Sequence, residues 1–495
     1  MKNIINILIC CCLYSIYSYG KTSFYIKVEE DNLKPIEGIY TGDVGFNEIL
    51  GNYNATIYKQ AYPMIKDEWL FKIYRLETEK DMPIEVLKSF IGKGLSLVEE
   101  GEKEEEIQPT GICENPNDKL SSQTYLDLIK IDSAWKYACD LPILPIAILD
   151  NHFNVNQVDI SGNVIGYAGN VNNTTDFHGT AVAGIVSAVT DNGIGIAGTG
   201  MNAKMYLTTQ GWGIDSTVYS LAQAGYRVIN CSWMNSCSYS SHKDSLYKKI
   251  RDTYNTVVVF GAGNGTEHCG SQSALVYPAS YPAVLSVTSV AHMFERGHID
   301  PVYGPADWKD CHEAIIGDAT QTHHHNSAVD ICAPGYNVMT TFPDNTYQGS
   351  WGTSFAAPQV AAVVNLMASI NPCLSAHDLI DMVKATADAS IYDIPENASY
   401  IGLLGTGRLD ANTAIKAAVE SATIYINNAL TVNTDMSKEA NYSIKVNAPV
   451  TVTSGNELVL KARKDVTISN EFTVNSNAEL TIDVDVNNTI DCNNN

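Results

Sequence analysis

Residues 256–265 read TVVVFGAGNG. An unbroken apolar run, rich in β-branched residues, ends in a cluster of turn residues. A strand with one wet face alternates polar and apolar side chains; a strand covered on both faces does not. The same signature recurs in PIAILD at 145–150, AKMYLTT at 203–209, YRVINCSW at 226–233 and AVLSVTSV at 283–290. Between and after these runs lie stretches with helical spacing: GTAVAGIVSAV at 179–189, STVYSLAQAG at 216–225, SHKDSLYKKIRDTY at 241–254, AAPQVAAVVNLMASI at 356–370, SAHDLIDMVKATA at 375–387 and DANTAIKAAVE at 410–420. Buried strands alternating with helices predict an α/β domain over 122–420, a mostly parallel sheet with helices on both faces.

Working outward, residues 21–110 form a small α+β unit. TSFYIKVEE alternates like a strand, and PIEVLKSFIGKG has helical spacing with a glycine stop. The acidic run LVEEGEKEEEIQPTG at 97–111 reads as a solvated connection, leading through a linker at 111–121. After the α/β domain, residues 423–495 change character: Asn, Thr, Val and Ser dominate short alternating segments, the pattern of a small all-β unit built as rungs of a β-solenoid. At the other end, MKNIINILICCCLYSIYSYG carries one lysine, a short apolar core and small or polar residues, as a signal peptide over 1–20 does. That run is short for a membrane span and no later segment reaches about 20 apolar residues, so no transmembrane segment is expected. A secreted or cell-surface location follows.

The net charge of −24 argues against nucleic-acid or anionic-membrane partners, which need basic surface. Of the 12 cysteines, Cys10, Cys11 and Cys12 fall in the signal peptide. An exported chain should pair some of the rest, and their odd number leaves at least one thiol or an intermolecular bond. Cys231 and Cys237 are close enough to pair, and Cys332, in AVDICAPG, reads as a buried strand thiol.

Polar residues stand at the strand ends and helix starts of the α/β domain. Asp150 ends PIAILD, where a carboxylate can orient an imidazole or simply start a turn. His178 opens the helix at 179–189, as a base or a structural histidine. Asn264 follows the strand at 256–263, as a hydrogen-bond donor or a turn residue tolerating φ > 0. Ser354, in SWGTSFAAPQVAAVV at 350–364, reads as a helix N-cap or as a nucleophile at the positive end of a helix. Pro358 would sit in that helix's first turn.

HGTAVAG, GAGNG and GTSFAAP, with IAILD ahead of the aspartate, resemble the subtilisin-like serine proteases, and the chain order Asp, His, Ser agrees. The resemblance covers 122–420. It implies a subtilisin-like fold and a secreted endopeptidase in which Ser354 attacks the peptide carbonyl, His178 relays the proton, Asp150 orients His178, and Asn264 with the Ser354 N–H binds the oxyanion. It also implies that residues 21–110 are a prosegment that inhibits the enzyme and is released by self-cleavage between about 103 and 121, and that the β-rich tail could attach the enzyme to a surface. No cofactor is required for the chemistry. A stabilising calcium site would use Asp159, the Asn192 side chain and the carbonyls of Ile194 and Ile196. The specificity pocket would be walled by Ser232, Trp233 and Met234 and floored by Val276, making it shallow and neutral.

Two features depart from the pattern. His152 adds bulk after Asp150, where glycine is common, but lacks the His-Gly-Thr helix start of a catalytic histidine. The run His323-His324-His325 reads as a polar loop, because three successive residues do not converge on one ion. A non-catalytic relative would have lost one of Asp150, His178, Asn264 and Ser354. An esterase would carry a Gly-x-Ser-x-Gly elbow with its histidine after the serine.

Overall fold

The computed structural model describes residues 22–37, 39–60, 72–100, 116–169, 171–209, 213–265, 269–292, 298–300, 304–306, 311–312 and 323–487. It divides into two compact units, Met1–Gln108 and Pro109–Asn495.

The first unit is an antiparallel sheet in the order Ala55–Gln60, Ile73–Thr78, Thr22–Val28, Leu95–Glu100, with helices Val44–Asn52 and Ile84–Lys88. Phe24, Ile26, Phe46, Leu50, Leu76 and Leu87 form its core. Asp43 caps the first helix by accepting from the Phe46 N–H. Two expectations shift here. The helix in PIEVLKSFIGKG ends at Lys88, and the acidic run begins as ladder rather than linker, since 97–100 complete the edge strand Leu95–Glu100. The signal peptide and residues 101–115, which include most of the acidic run, lie outside the described residues.

The second unit carries the expected parallel sheet. Its strands run in the order Ile331–Pro334, Leu285–His292, Val257–Gly261, Val228–Cys231, Ile146–Asp150, Met205–Thr209, Val164–Ala168, all parallel, with the short Cys311–His312 antiparallel on Leu285–His292. The chain enters at Ile146–Asp150, builds one side, then returns to build the other from Val228–Cys231. The order reverses between those two strands, and open α/β sheets place their sites at such a point, beyond the strand carboxyl ends. The strands 146–150, 228–231 and 257–261 are buried along their whole length, which is why no alternation marks them in the sequence. Helix Thr353–Ile370 is buried at every position except half-buried Ser354.

Residues 424–484 form three parallel rungs. Ile424–Ile426, Ser443–Val446 and Asp465–Ile468 stack as one face; Leu430–Val432, Val450–Val452 and Phe472–Val474 as the second; Met436–Ala440, Glu457–Ala462 and Glu479–Val484 as the third. Val432, Ile444, Val452, Leu458 and Leu460 fill the bore. This solenoid is fastened to the α/β domain. Arg463 Nη1 donates to the Ser369 carbonyl at 3.0 Å, and Lys464 pairs with Asp140 at 2.6 Å.

The cysteine expectation needs one correction. Cys237 bonds to Cys269, with Cα atoms 5.3 Å apart. Cys231 is a buried thiol, because its strand directs it into the core with Tyr247 and Phe260 while Cys237 lies beyond the strand end. Cys139 and Cys373 are disulfide-bonded. Cys332 is a buried thiol, as expected, donating to the Gly407 carbonyl.

Candidate active site

Four of the sequence-selected residues meet at the carboxyl end of the sheet. Asp150 is the last residue of the central strand and is fully buried. His178 opens helix His178–Ser187, and its Nδ1–H donates to Asp150 Oδ1 at 2.6 Å. The helix can come this close because of Gly179: a Cβ there would lie 2.3 Å from the His152 carbonyl oxygen. Burial disfavours a charge on His178, but Asp150, with Asp176 behind it, outweighs burial and raises its pKa above that of an ordinary imidazole. Such a histidine has its outer nitrogen available as a base, with its tautomer fixed by the carboxylate.

Ser354 is the second residue of helix Thr353–Ile370, after Gly352, and caps nothing. Its half-buried side chain donates to the Ser232 carbonyl at 3.3 Å. The His178 ring lies 5.5 Å, centroid to centroid, from that of Phe355, the neighbour of Ser354. The cap comes from Asn264: its Oδ1 accepts from the Thr353 N–H at 2.9 Å and from the Thr353 hydroxyl at 3.1 Å. Thr353 Oγ1 also accepts from the Gly263 N–H at 3.1 Å. With Oδ1 held inward, the Nδ2 group of Asn264 is left as a donor beside the helix start. The sequence reading quoted Thr353 only as part of a motif; its hydroxyl couples the Asn264 turn to the serine helix.

Pro358 stands at the sixth helical position, not in the first turn. It therefore removes the N–H that would bond to the Ser354 carbonyl. Ser232 Oγ replaces it, donating to that carbonyl at 2.9 Å.

His152 forms a second His–Asp couple, Nδ1 to Asp176 Oδ2 at 2.8 Å, and Asp176 Oδ1 accepts from the His178 N–H at 3.1 Å. Burial opposes the charge on Asp176, but these donors outweigh it and hold its carboxyl below the usual range. Nothing in the sequence flagged Asp176 except its place two residues before His178.

The pocket residues divide. Ser232 and Met234 lie on one side of their segment, while Trp233 turns into the core and packs edge-on against Phe260 at 5.0 Å. Its indole is not a pocket wall; successive side chains of an extended segment alternate. Val276 is fully buried. The triple histidine is not an exposed polar loop: His323, His324 and His325 are 1%, 0% and 9% exposed. Among the described residues no group of three or more His, Cys, Asp or Glu gathers to hold a metal.

Two of the four ligands expected for calcium, Asp159 and Asn192, are taken up by hydrogen bonds. Asp159 meets Asn192 and the loop that follows, but Asp159 Oδ1 accepts from Asn192 Nδ2 at 2.8 Å and Oδ2 from the Ile196 N–H at 2.9 Å. Asn192 Oδ1 in turn accepts from the Ile194 N–H at 2.7 Å. Burial pushes Asp159 up to about 6, the charge of Asp118 adding to it, and the Tyr347 hydroxyl also faces it, while both Asp159 oxygens are taken by N–H donors.

Comparison with known proteins decides the family. The subtilase family model matches residues 144–407. The chain belongs to the subtilase family. It is similar to subtilisin DY of Bacillus licheniformis, 30% identical over 275 residues, which is 53% of this chain and 90% of that one. It is also similar to thermitase of Thermoactinomyces vulgaris, 31% identical over 290 residues, covering 55% and 91%. Among solved structures, a protease from Pseudoalteromonas arctica aligns with a TM-score of 0.47 at 24% identity, over 61% of this chain and 99% of that one. Subtilases are serine endopeptidases that work through a catalytic triad on polypeptides without a cofactor, and so does this one.

Proposed function

We propose that Asp150, His178 and Ser354 are the catalytic triad and that Asn264 is the oxyanion donor. The observation that carries the reading is the 2.6 Å bond from His178 to a fully buried Asp150. Ser354 gives its proton to His178 as it attacks the carbonyl carbon, and His178 passes that proton to the leaving amine. Before substrate binds, the Ser354 hydroxyl rests on the Ser232 carbonyl; serine–histidine bonds are often long until the substrate complex forms. Asn264 Nδ2 and the Ser354 N–H then share the oxyanion at the helix's positive end. Met234 and Ser232 wall a shallow neutral pocket for the residue before the cut bond.

The same reading makes residues 1–20 a signal peptide for secretion and 21–110 a prosegment released by self-cleavage. The size and separate core of the first unit support it. Among the described residues, the one helix long and apolar enough to cross a membrane is Thr353–Ile370, and it is buried inside the protein. The fastening of the solenoid to Ser369 and Asp140 favours a bracing role for the tail over surface attachment.

Replacement of Ser354 by Ala tests the reading. Peptidase activity should fall by about 10⁶ in kcat, the magnitude known for a subtilisin-type serine. The purified precursor should also stay uncleaved. Normal turnover by that variant rejects the triad; processing without turnover rejects self-cleavage alone.

A further inference from the structure

The buried histidine run sits against the turn that carries Asn264. His323 and Asn264 form an antiparallel bridge, and the His324 N–H donates to the Gly263 carbonyl at 2.8 Å. The His324 ring is fully buried and lies beside Gly263. A Cβ on Gly263 would meet ring atom Cγ at 3.2 Å and Met234 Cε at 3.1 Å, and the residue has φ +114°. Only glycine lets the ring approach this backbone.

Both ring nitrogens of His324 face carbonyl oxygens. Nε2 is 2.7 Å from the Gly265 oxygen, and Nδ1 is 3.3 Å from the Ala274 oxygen. A neutral imidazole has one N–H and one lone pair, so it can satisfy only one carbonyl and must set its lone pair against the other. An imidazolium donates to both. Burying a charge is costly, but two charge-assisted bonds in a low-dielectric interior offset that cost. We propose that His324 is a positioning residue for catalysis, an imidazolium that clamps the oxyanion turn at Gly265 to the Ala274 segment leading to Val276. The proposal rests on Asn264 being the oxyanion donor.

The surroundings agree. The two sequence neighbours of His324 are titratable as well. His323 has its pKa lowered to about 3, by burial first and by the charge of His324 second, so it stays neutral. The His325 ring packs edge-on to Tyr400 at 4.6 Å. The Ala274 oxygen also accepts from Asn326 Nδ2 at 2.9 Å, and the Thr288 hydroxyl donates to the His324 carbonyl, so the clamp is held at both ends. A displacement of the oxyanion donor by about 1 Å can cost up to about 10² in rate.

Two measurements test this. In the full chain carrying Ser354→Ala, nitrogen-15-labelled histidine should show a ring with both nitrogens protonated at neutral pH. That signal should vanish in His324→Gln, or be assigned by through-space contacts to Gly265 and Met234 if that variant does not fold. A neutral tautomer at His324 overturns the proposal. In the active enzyme, His324→Gln should lower kcat about 10- to 100-fold with little change in KM, and should abolish an alkaline limb of the pH profile. In an Asn264→Ala background the same substitution should cost almost nothing. Equal losses in both backgrounds would show a general structural role and overturn the proposal. An Asn264→Ala enzyme with undiminished kcat would instead reject the oxyanion reading, and the protonation signal would then stand or fall by itself.

Discussion

Ser232 and Ser354 hold each other by reciprocal bonds: Ser232 Oγ donates to the Ser354 carbonyl at 2.9 Å, and Ser354 Oγ donates to the Ser232 carbonyl at 3.3 Å. The first bond exists because Pro358 withholds the helical N–H that would otherwise take the Ser354 carbonyl. One polar pair thus fixes the start of the serine helix against the strand that leads to the pocket.

Ser232→Ala should therefore destabilise the fold by about 1–3 kcal/mol, the usual cost of stranding a buried acceptor. The cost should shrink when Pro358→Ala restores the missing N–H. A double-mutant cycle by denaturant unfolding measures this coupling. Additive losses would show that the proline and the Ser232 hydroxyl are not alternatives.

The Asp176 carboxylate accepts from the His178 backbone N–H and favours the imidazolium. His178 must be neutral to act as a base, so activity rises with pH through its pKa. Asp176→Asn keeps an oxygen for the His178 N–H and removes the charge. The pKa of His178 should fall, and the acid limb of kcat/KM should move to lower pH, most clearly at low ionic strength. Asp176 is held ionised across that limb, so the shift is not masked by its own titration. An upward shift, or none at low salt, would remove Asp176 from the electrostatics of the site.

What was legible in the sequence was what periodicity and local chemistry carry. The strands 146–150, 228–231 and 257–261 are buried on both faces, and their unbroken apolar runs say so. Asp150, His178, Ser354 and Asn264 stand at strand ends and helix starts that such runs locate. The Trp233 and Cys231 misreadings share one cause: each turned on which way a side chain points. The resemblance makes Trp233 a pocket wall together with Ser232 and Met234; alternation sends it to Phe260. His323–His325 read as a polar loop, yet tertiary carbonyls at Gly265 and Ala274 give His324 a buried place. Pro358 lies beyond the first turn because the helix starts at Thr353, ahead of Ser354. The sequence holds no trace of Asn264 reaching across to cap at Thr353.

Metal removal should change little. Asp159 already has the N–H groups of Asn192 and Ile196 on its two oxygens. A cation bound there at 100 times its Kd would contribute about 2.7 kcal/mol and raise the melting temperature by degrees. A chelator should therefore leave Tm unchanged. A fall on chelation, reversed by added calcium, would show that Asn192 turns its oxygen inward when the ion is present.

The residue preferred before the cut bond should be small or medium and apolar, such as Ala, Val or Leu, because of Met234. Its Cε lies where a Cβ on Gly263 would be met at 3.1 Å, so the side chain leans over the turn that carries Asn264 and narrows the entrance. No carboxylate stands at Ser232, Met234 or Val276 to receive a substrate Lys or Arg. Met234→Gly should open the entrance and improve kcat/KM for a Phe substrate relative to an Ala one. Each methylene of fit is worth about 1–3 kcal/mol, so the relative gain should be at least about tenfold. Peptides differing only in Ala, Leu, Phe or Arg at that position measure it. Fastest cleavage after Arg by the unsubstituted enzyme would refute the neutral pocket, and an unchanged Phe-to-Ala ratio in Met234→Gly would move the entrance away from Met234.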